Sequence, residues 1–405
     1  MPVREHGSVL PTISAQQRRA RLGVRHHLTH QPDAATPTGP TPADLATDLV
    51  ALHATDPASV YLSVAARSSR LTAEDVTRAL YDDRTLVRML GMRRTMFVVP
   101  TPLVPIVQRS SSEAIAARLR RALVKELAAV VDDPDDWLTE VSDATVARLQ
   151  QCGGATGLAL SRADPRLRTK LMFAEGKAYG GPASINTRVL NILSAQGRIV
   201  RGRPGGVWTG SQYEWASAET WLPADSFEID VEQARTELVR RWLARFGPAT
   251  MADITWWTGW NLGDTRRATA GVSTTVVDLD GIEGLVLADD VDPVEDPEPW
   301  IALLPALDPT PMGWSGRDWY ISPDRRTALF DRTGNIGPSV WCDGRVVGGW
   351  AQRPDGEVVF RLLEDIGRQQ AAAVQEEAAR LTGWLDGVTV IPKFRTPLER
   401  ELAAS

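Results

Sequence analysis

The feature that most constrains this chain is a pattern repeated three times in order: helices, then two short strands about a tight turn. The first copy follows the Pro/Thr-rich segment 31–42. Thr41-Pro42-Ala43-Asp44 predicts a helix start, with Thr41 as N-cap and Pro42 in the first turn. A second helix is predicted over Ala58–Arg67. Thr72-Ala73-Glu74-Asp75 opens a third helix that runs to Tyr81. Strands follow at Leu86–Leu90 and Thr95–Val99, around Gly91-Met92-Arg93-Arg94.

The second copy follows the acidic break 132–136, with helices predicted over Asp143–Gln151, Arg166–Lys177 and Ala183–Gln196. Arg198–Arg203, Pro204-Gly205-Gly206 and Val207–Thr209 then read as a basic hairpin. In the third copy the amphipathic segment Val231–Arg245 precedes helices at Met251–Trp257 and Gly263–Ala270. Its hairpin is Thr274–Leu279 and Gly284–Ala288 about Asp280-Gly281, a strong type I′ signal. Helices followed by a hairpin suit a winged helix, and an arbitrary α+β assembly is the alternative. From Trp300 onward, short apolar runs (Ile301–Leu304, Ala328–Asp331, Ser339–Cys342, Arg345–Trp350, Val358–Leu362) separated by turns predict a small antiparallel barrel or sandwich. An Ala/Glu-rich helix over Glu364–Leu385 and a strand at Val388–Ile391 complete it.

At 405 residues, the chain exceeds one ordinary core. It lacks an 18-residue apolar stretch and an apolar leader, so a cytoplasmic, nucleoid-associated location and no membrane partner are expected. Net charge is −6, but residues 1–130 hold 17 Lys+Arg against 11 Asp+Glu, and residues 162–203 hold nine against two. Residues 278–308 hold ten acids and no base. Charges act over roughly a Debye length, about 8 Å, so a polyanion meets the basic faces rather than the average. Arg93 and Arg94 in the first turn, Arg166, Arg168 and Lys170, and Arg198, Arg201 and Arg203 along the second hairpin are candidate phosphate contacts. The alternative for each is a solvated face.

Little else offers chemistry. Cys152 and Cys342 are far apart and read as small buried thiols. His26 and His30 suit a solvated or phosphate-facing helix end better than a metal edge, and no cofactor is expected. There is no phosphate-binding loop, dinucleotide fingerprint or nucleophile elbow. What remains is His53-Ala54-Thr55-Asp56, followed by Pro57. In an unwinding segment His53 and Thr55 point the same way, and one water fits between them. His53 can take a proton from that water, Thr55 can orient it, and Asp56 can fix the imidazole tautomer or take the proton itself. The structural alternative is a polar helix end, with Asp56 capping the helix that starts at Pro57.

Leu49–Pro57, Arg93–Pro100, Arg245–Thr250 with Trp257-Thr258-Gly259, Leu303–Pro309 and Gly344–Trp350 together resemble the AlkZ/YcaQ type of tandem winged-helix DNA glycosylase. The resemblance spans nearly the whole chain. It implies an α+β fold of three tandem winged helices and a C-terminal antiparallel β-barrel, C-shaped around duplex DNA. The corresponding domains are 1–130 (with an N-terminal helix), 131–225, 226–298 and 299–405. It also implies monofunctional excision of alkylated or bulky-adduct purines by a monomer, with His53, Thr55 and Asp56 as the catalytic set. The family's Gln-x-Gln-Asp-Pro has both glutamines replaced here, by His53 and Thr55. The block ending Thr-Leu-His in the family is Thr95-Met96-Phe97. His53 is expected to act as a stronger base than glutamine. None of the four lysines (Lys125, Lys170, Lys177, Lys393) lies beside the motif in sequence, which disfavours a Schiff-base lyase. A non-catalytic DNA-binding regulator or lesion sensor is the competing expectation, and a protein-interaction scaffold a third.

Overall fold

A computed structural model describes residues 10–29, 39–173, 180–222 and 228–405. The N-terminal helix Ala15–Arg25 is capped by Ser14, whose hydroxyl accepts from Gln17 N–H. Helix Pro42–Asp48 begins with the predicted Thr41 cap, closed reciprocally by Asp44, and Thr72 and Asp75 do the same for Ala73–Tyr81. Such boxes satisfy N–H groups that a helix start would leave unpaired. Between them Pro57–Ala65 is buried along its whole length, as its nearly unbroken apolar sequence requires. Leu86–Gly91 and Thr95–Pro100 form the first hairpin, and the two-residue strand Leu52–His53 adds to its Thr95–Pro100 edge.

A helical run through Val104–Val107, Gln108–Ser112 and Glu113–Leu127 leads to the second unit. There Pro134–Cys152, Gly157–Ala163 and Asn186–Ala195 precede a hairpin of Ile199–Pro204 and Tyr213–Ser217. The helix predicted over Arg166–Lys177 does not form. Pro165–Arg168 is a short turn of 3₁₀ helix and Lys170–Phe173 a strand, with 174–179 outside the described residues. In this strand Leu171 is buried while Lys170, Met172 and Phe173 are exposed. Val207–Thr209 belongs to the loop, and the return strand starts at Tyr213.

In the third unit Val231–Phe246, Met251–Thr258 and Leu262–Ala270 precede the hairpin Thr274–Asp278 and Glu283–Leu287. Asp280 and Gly281 both take positive φ there, as the Asp-Gly signal predicts. The C-terminal strands Ile301–Leu304, Ser339–Cys342, Arg345–Gln352 and Val358–Leu362 form an open antiparallel meander, not the expected closed barrel. Four short strands are too few to close a barrel, and helices Arg368–Leu385 and Pro397–Ala404 cover the sheet instead. Residues 328–331 and 388–391 are not strands; Arg326–Leu329 is a helical turn. Among the described residues no helix is long and apolar enough to cross a membrane.

The first, third and C-terminal parts share one core, which includes Phe97, Trp242, Trp257, Trp300 and Trp341 and to which Val200, Ala216, Ala218 and Leu222 of the second unit also contribute. The second unit has its own, from Leu123 to Trp215. At the shared junction Arg67 and Asp308 pair at 2.7 Å with neither side chain exposed. Ser63 Oγ donates to Asp308 Oδ2, and Arg67 Nε to the His26 carbonyl. Burial alone would raise the Asp308 pKa, but Arg67, Ser63 and the Thr310 N–H outweigh it and hold the group low. This network fixes the far end of the segment that begins at Asp56.

Candidate active site

His53 lies directly across from Phe97 in the strand pair. Residues so paired share a face of the sheet, and the two rings meet edge-on with centroids 5.4 Å apart. The residue is 6% exposed, and its Nδ1 is buried with no hydrogen-bond partner among the described residues. Burial first, then the cation of Arg93, pushes the imidazole pKa down to about 3. His53 is therefore neutral at physiological pH and a weaker base than free imidazole, though still a stronger one than a glutamine amide. It retains what a glutamine amide offers, an uncharged group that accepts and donates hydrogen bonds.

His26 shows what a structural histidine looks like in the same protein. It is fully buried rather than solvated, with Nε2 3.1 Å from the Arg245 carbonyl and Nδ1 2.9 Å from Thr310 Oγ1. A carbonyl only accepts, so Nε2 carries the proton and Nδ1 receives the Thr310 hydroxyl. His30 lies outside the described residues. His26 is saturated by protein; His53 is not.

The backbone of the motif is held from three sides. Ala54 N–H donates to the Met96 carbonyl at 2.8 Å. Arg88, a lone charge in the apolar strand Leu86–Gly91 and 2% exposed, donates from Nη1 to the Ala54 carbonyl at 3.1 Å. Lys393 donates its Nζ to the Thr55 carbonyl at 3.2 Å and its N–H to Asp56 Oδ2 at 2.9 Å. A lysine thus sits beside the motif in space although none does in sequence. The other carboxylate oxygen of Asp56 accepts from Ala58 N–H, capping Pro57–Ala65 as the structural alternative required. Asp56 is 5% exposed with both oxygens engaged by main chain, and Thr55 is half-buried.

The first-hairpin tip packs against the third unit. Arg93 and Arg94 both adopt positive φ, 54° and 58°, which costs non-glycine residues roughly 1–2 kcal/mol each. The Arg93 guanidinium lies 3.9 Å from the Trp256 ring centroid, with Arg317 5.0 Å from the same ring. Among the described residues neither arginine has an ion-pair partner. Desolvation, then repulsion from Arg317, lowers the Arg93 pKa to about 10. Sequence reasoning took Trp256 as core, set Lys393 aside as remote from the motif, and missed Arg317 altogether. No local pattern marks them, because the tertiary fold alone brings them here. Only Arg88 carried a signal, being a charge at an apolar strand position.

The remaining candidate cations divide. Arg94, Arg168, Lys170 and Arg203 are exposed, and Arg201 is half-buried. Arg166 already pairs with Asp164 at 2.8 Å, Arg198 with Asp143 at 2.8 Å and Arg203 with Asp82 at 2.7 Å. Such partly exposed pairs are weak, about 0–1 kcal/mol, and exchange readily with another anion. Of the two cysteines, Cys342 is buried and Cys152 exposed. No group of side chains among the described residues would hold a metal ion.

A chain built of three helix-and-hairpin units and an open sheet, with a polar pair clamped at the first hairpin, belongs to the DNA glycosylase AlkZ-like family, whose pattern it matches over residues 46–384. The interstrand DNA cross-link repair glycosylase of Streptomyces sahachiroi is 29% identical over 185 residues, 42% of this chain and 49% of that protein. The match therefore spans about half the length of that curated relative. The solved structure of Streptomyces sahachiroi DNA glycosylase AlkZ shares the fold, with a TM-score of 0.68 over 94% of this chain and 99% of that chain at 21% identity.

Proposed function

We propose that this protein is a monofunctional DNA glycosylase that hydrolyses the N-glycosidic bond of alkylated or bulky-adduct purines in double-stranded DNA. One observation carries the reading: the motif imidazole keeps a hydrogen-bonding nitrogen that the protein leaves unused, in a molecule whose other buried imidazole is saturated. Buried polar groups are normally paired, so an orphan at this position suits a water or substrate atom. An N7-alkylated purine is cationic and departs without strong acid catalysis. The protein need only place water near C1′ as positive charge develops on the sugar. A neutral His53 accepts a hydrogen bond from that water, Thr55 orients it, and Asp56 positions both by anchoring the main chain while its charge favours the developing cation. Lys393 acts as a clamp, its ammonium directed at a carbonyl.

In this reading the three helix-and-hairpin units serve as winged helices, within 1–130, 131–225 and 226–298, and 299–405 completes a C-shaped cradle for one monomer on the duplex. Arg93, Arg94, Arg168, Lys170 and Arg201 contact phosphates directly, and Arg166, Arg198 and Arg203 exchange their carboxylates for them. Incubation with N7-methylguanine duplex and assay of free base tests the reading; no release from any alkylated duplex, with binding intact, overturns it. The 6% exposure of His53 favours a second reading, a lesion sensor that binds and does not cleave. The same assay separates the two.

A further inference from the structure

Between the first and second hairpins lie several buried hydrogen-bond donors that have no partner among the described residues. Arg88 is opposite Val98, and Val98 opposite Leu52, so Arg88 occupies the face of the sheet away from His53 and Phe97. Apart from the Nη1 contact to Ala54, its buried Nε has no partner. Arg201 reaches Asn191 Oδ1 from Nη2 at 3.3 Å, and its Nε is likewise buried and unpartnered. The two guanidinium groups lie 4.9 and 5.6 Å from the centroid of the Tyr213 ring. Tyr213 and Tyr81 are 8% and 7% exposed, and both hydroxyls lack a partner. Among the described residues neither arginine makes an ion pair. Their neighbour Arg203, 5.4 Å from the Tyr81 ring centroid, is by contrast matched to Asp82.

Guanidinium nitrogens only donate, and an aromatic face offsets part of the desolvation of a cation without accepting an in-plane N–H. Two desolvated like charges sharing one ring repel, and each unpaired buried donor is costly. An acceptor carrying negative charge relieves all of these together; a water molecule relieves only some.

We propose that Arg88, Arg201, Tyr81 and Tyr213 form a binding site for a phosphate-type oxyanion, behind the strand that carries His53. The oxygens of the anion accept from the two guanidiniums and the two phenols. Because Arg88 also holds the Ala54 carbonyl, occupancy of this site stiffens the motif. The ligand is either free phosphate or a phosphate of the DNA backbone. The proposal does not depend on glycosylase activity, since it concerns donors on the other side of the sheet.

The test uses the full chain and radiolabelled inorganic phosphate in equilibrium dialysis, with potassium chloride holding ionic strength constant. One phosphate per chain is expected, with a rise in Tm of roughly 2 °C or more at saturation. Tyr213→Phe, which keeps the ring between the guanidiniums, and Arg201→Gln should each weaken phosphate binding at least tenfold. Unlabelled undamaged duplex that displaces the label one for one assigns the site to the DNA backbone; a label retained alongside bound duplex assigns it to free phosphate. No uptake above the chloride control, or uptake that both variants leave unchanged, means that buried water satisfies these donors and overturns the proposal.

Discussion

At the scale of single residues, the environment of His53 replaces a general base with a neutral hydrogen-bonding group. With its pKa near 3, the imidazole does not titrate between pH 5 and 8, so single-turnover base release should be flat across that window. A sigmoid centred near pH 6.5 would show that the ring is not held as described. His53→Gln should keep release within about tenfold, whereas His53→Ala should lower it by about a hundredfold, the order of loss when one preorganised hydrogen-bonding group is removed. Lys393, though beside the motif, is engaged with the Thr55 carbonyl. Borohydride should therefore trap no covalent adduct with abasic duplex, and a trapped adduct lost in Lys393→Met would establish a lyase. The cations are separable in the same way. Arg93→Gln should reduce the slope of log affinity against log salt by about one, because Arg93 has no carboxylate to release among the described residues. Arg198→Gln should reduce it by less, since its pair with Asp143 is broken whenever a phosphate takes its place.

At the scale of elements, the contact between the first hairpin and helix Met251–Thr258 rests on Gly259. Its φ is +72°, and a Cβ there would meet the Cα, Cγ and N of Arg93 at 3.0 Å. Gly259→Ala should therefore cost about 1–2 kcal/mol for the left-handed backbone alone, and more for the displaced hairpin tip. Urea denaturation gives the stability, and duplex binding by the variant should weaken as Arg93 moves off Trp256. The cap residues at Thr41, Thr72 and Asp56 and the Asp280-Gly281 turn were legible in sequence because each is a local bargain between neighbours. The segment around Arg166–Lys177 was not, since its basic residues have no apolar stripe and its short strand pairs with Gly181–Ser184.

At the scale of the whole molecule, the buried pair Arg67–Asp308 ties the first unit to the C-terminal part, and His26 adds the N-terminal helix and the Arg245 carbonyl. Asp308→Asn leaves an uncompensated buried cation and should cost about 3–5 kcal/mol in urea or thermal unfolding. Stability should also fall on acidification. His26 and His53 both have folded pKa values near 3, below the unfolded value of 6.5, so between those limits the unfolded chain binds more protons. Their contribution is full above pH 6.5 and is lost as pH falls towards 3, at up to about 1.4 kcal/mol per pH unit for each ring. Asp308, held low by Arg67, adds a loss of the same sign at lower pH. A Tm that stays level from pH 7 to pH 4 would contradict this.

The sequence by itself determined the order of helices and hairpins, the caps and turns, and the stretch from His53 to Pro57, because these depend on neighbours along the chain and on periodicity. Only the tertiary structure decided that the C-terminal strands stay an open sheet, that the His53 ring is buried and neutral, and that Arg88 and Lys393 grip the same few residues. Those outcomes depend on which distant surfaces exclude water from one another, and desolvation is a property of the packed molecule that no stretch of sequence carries alone.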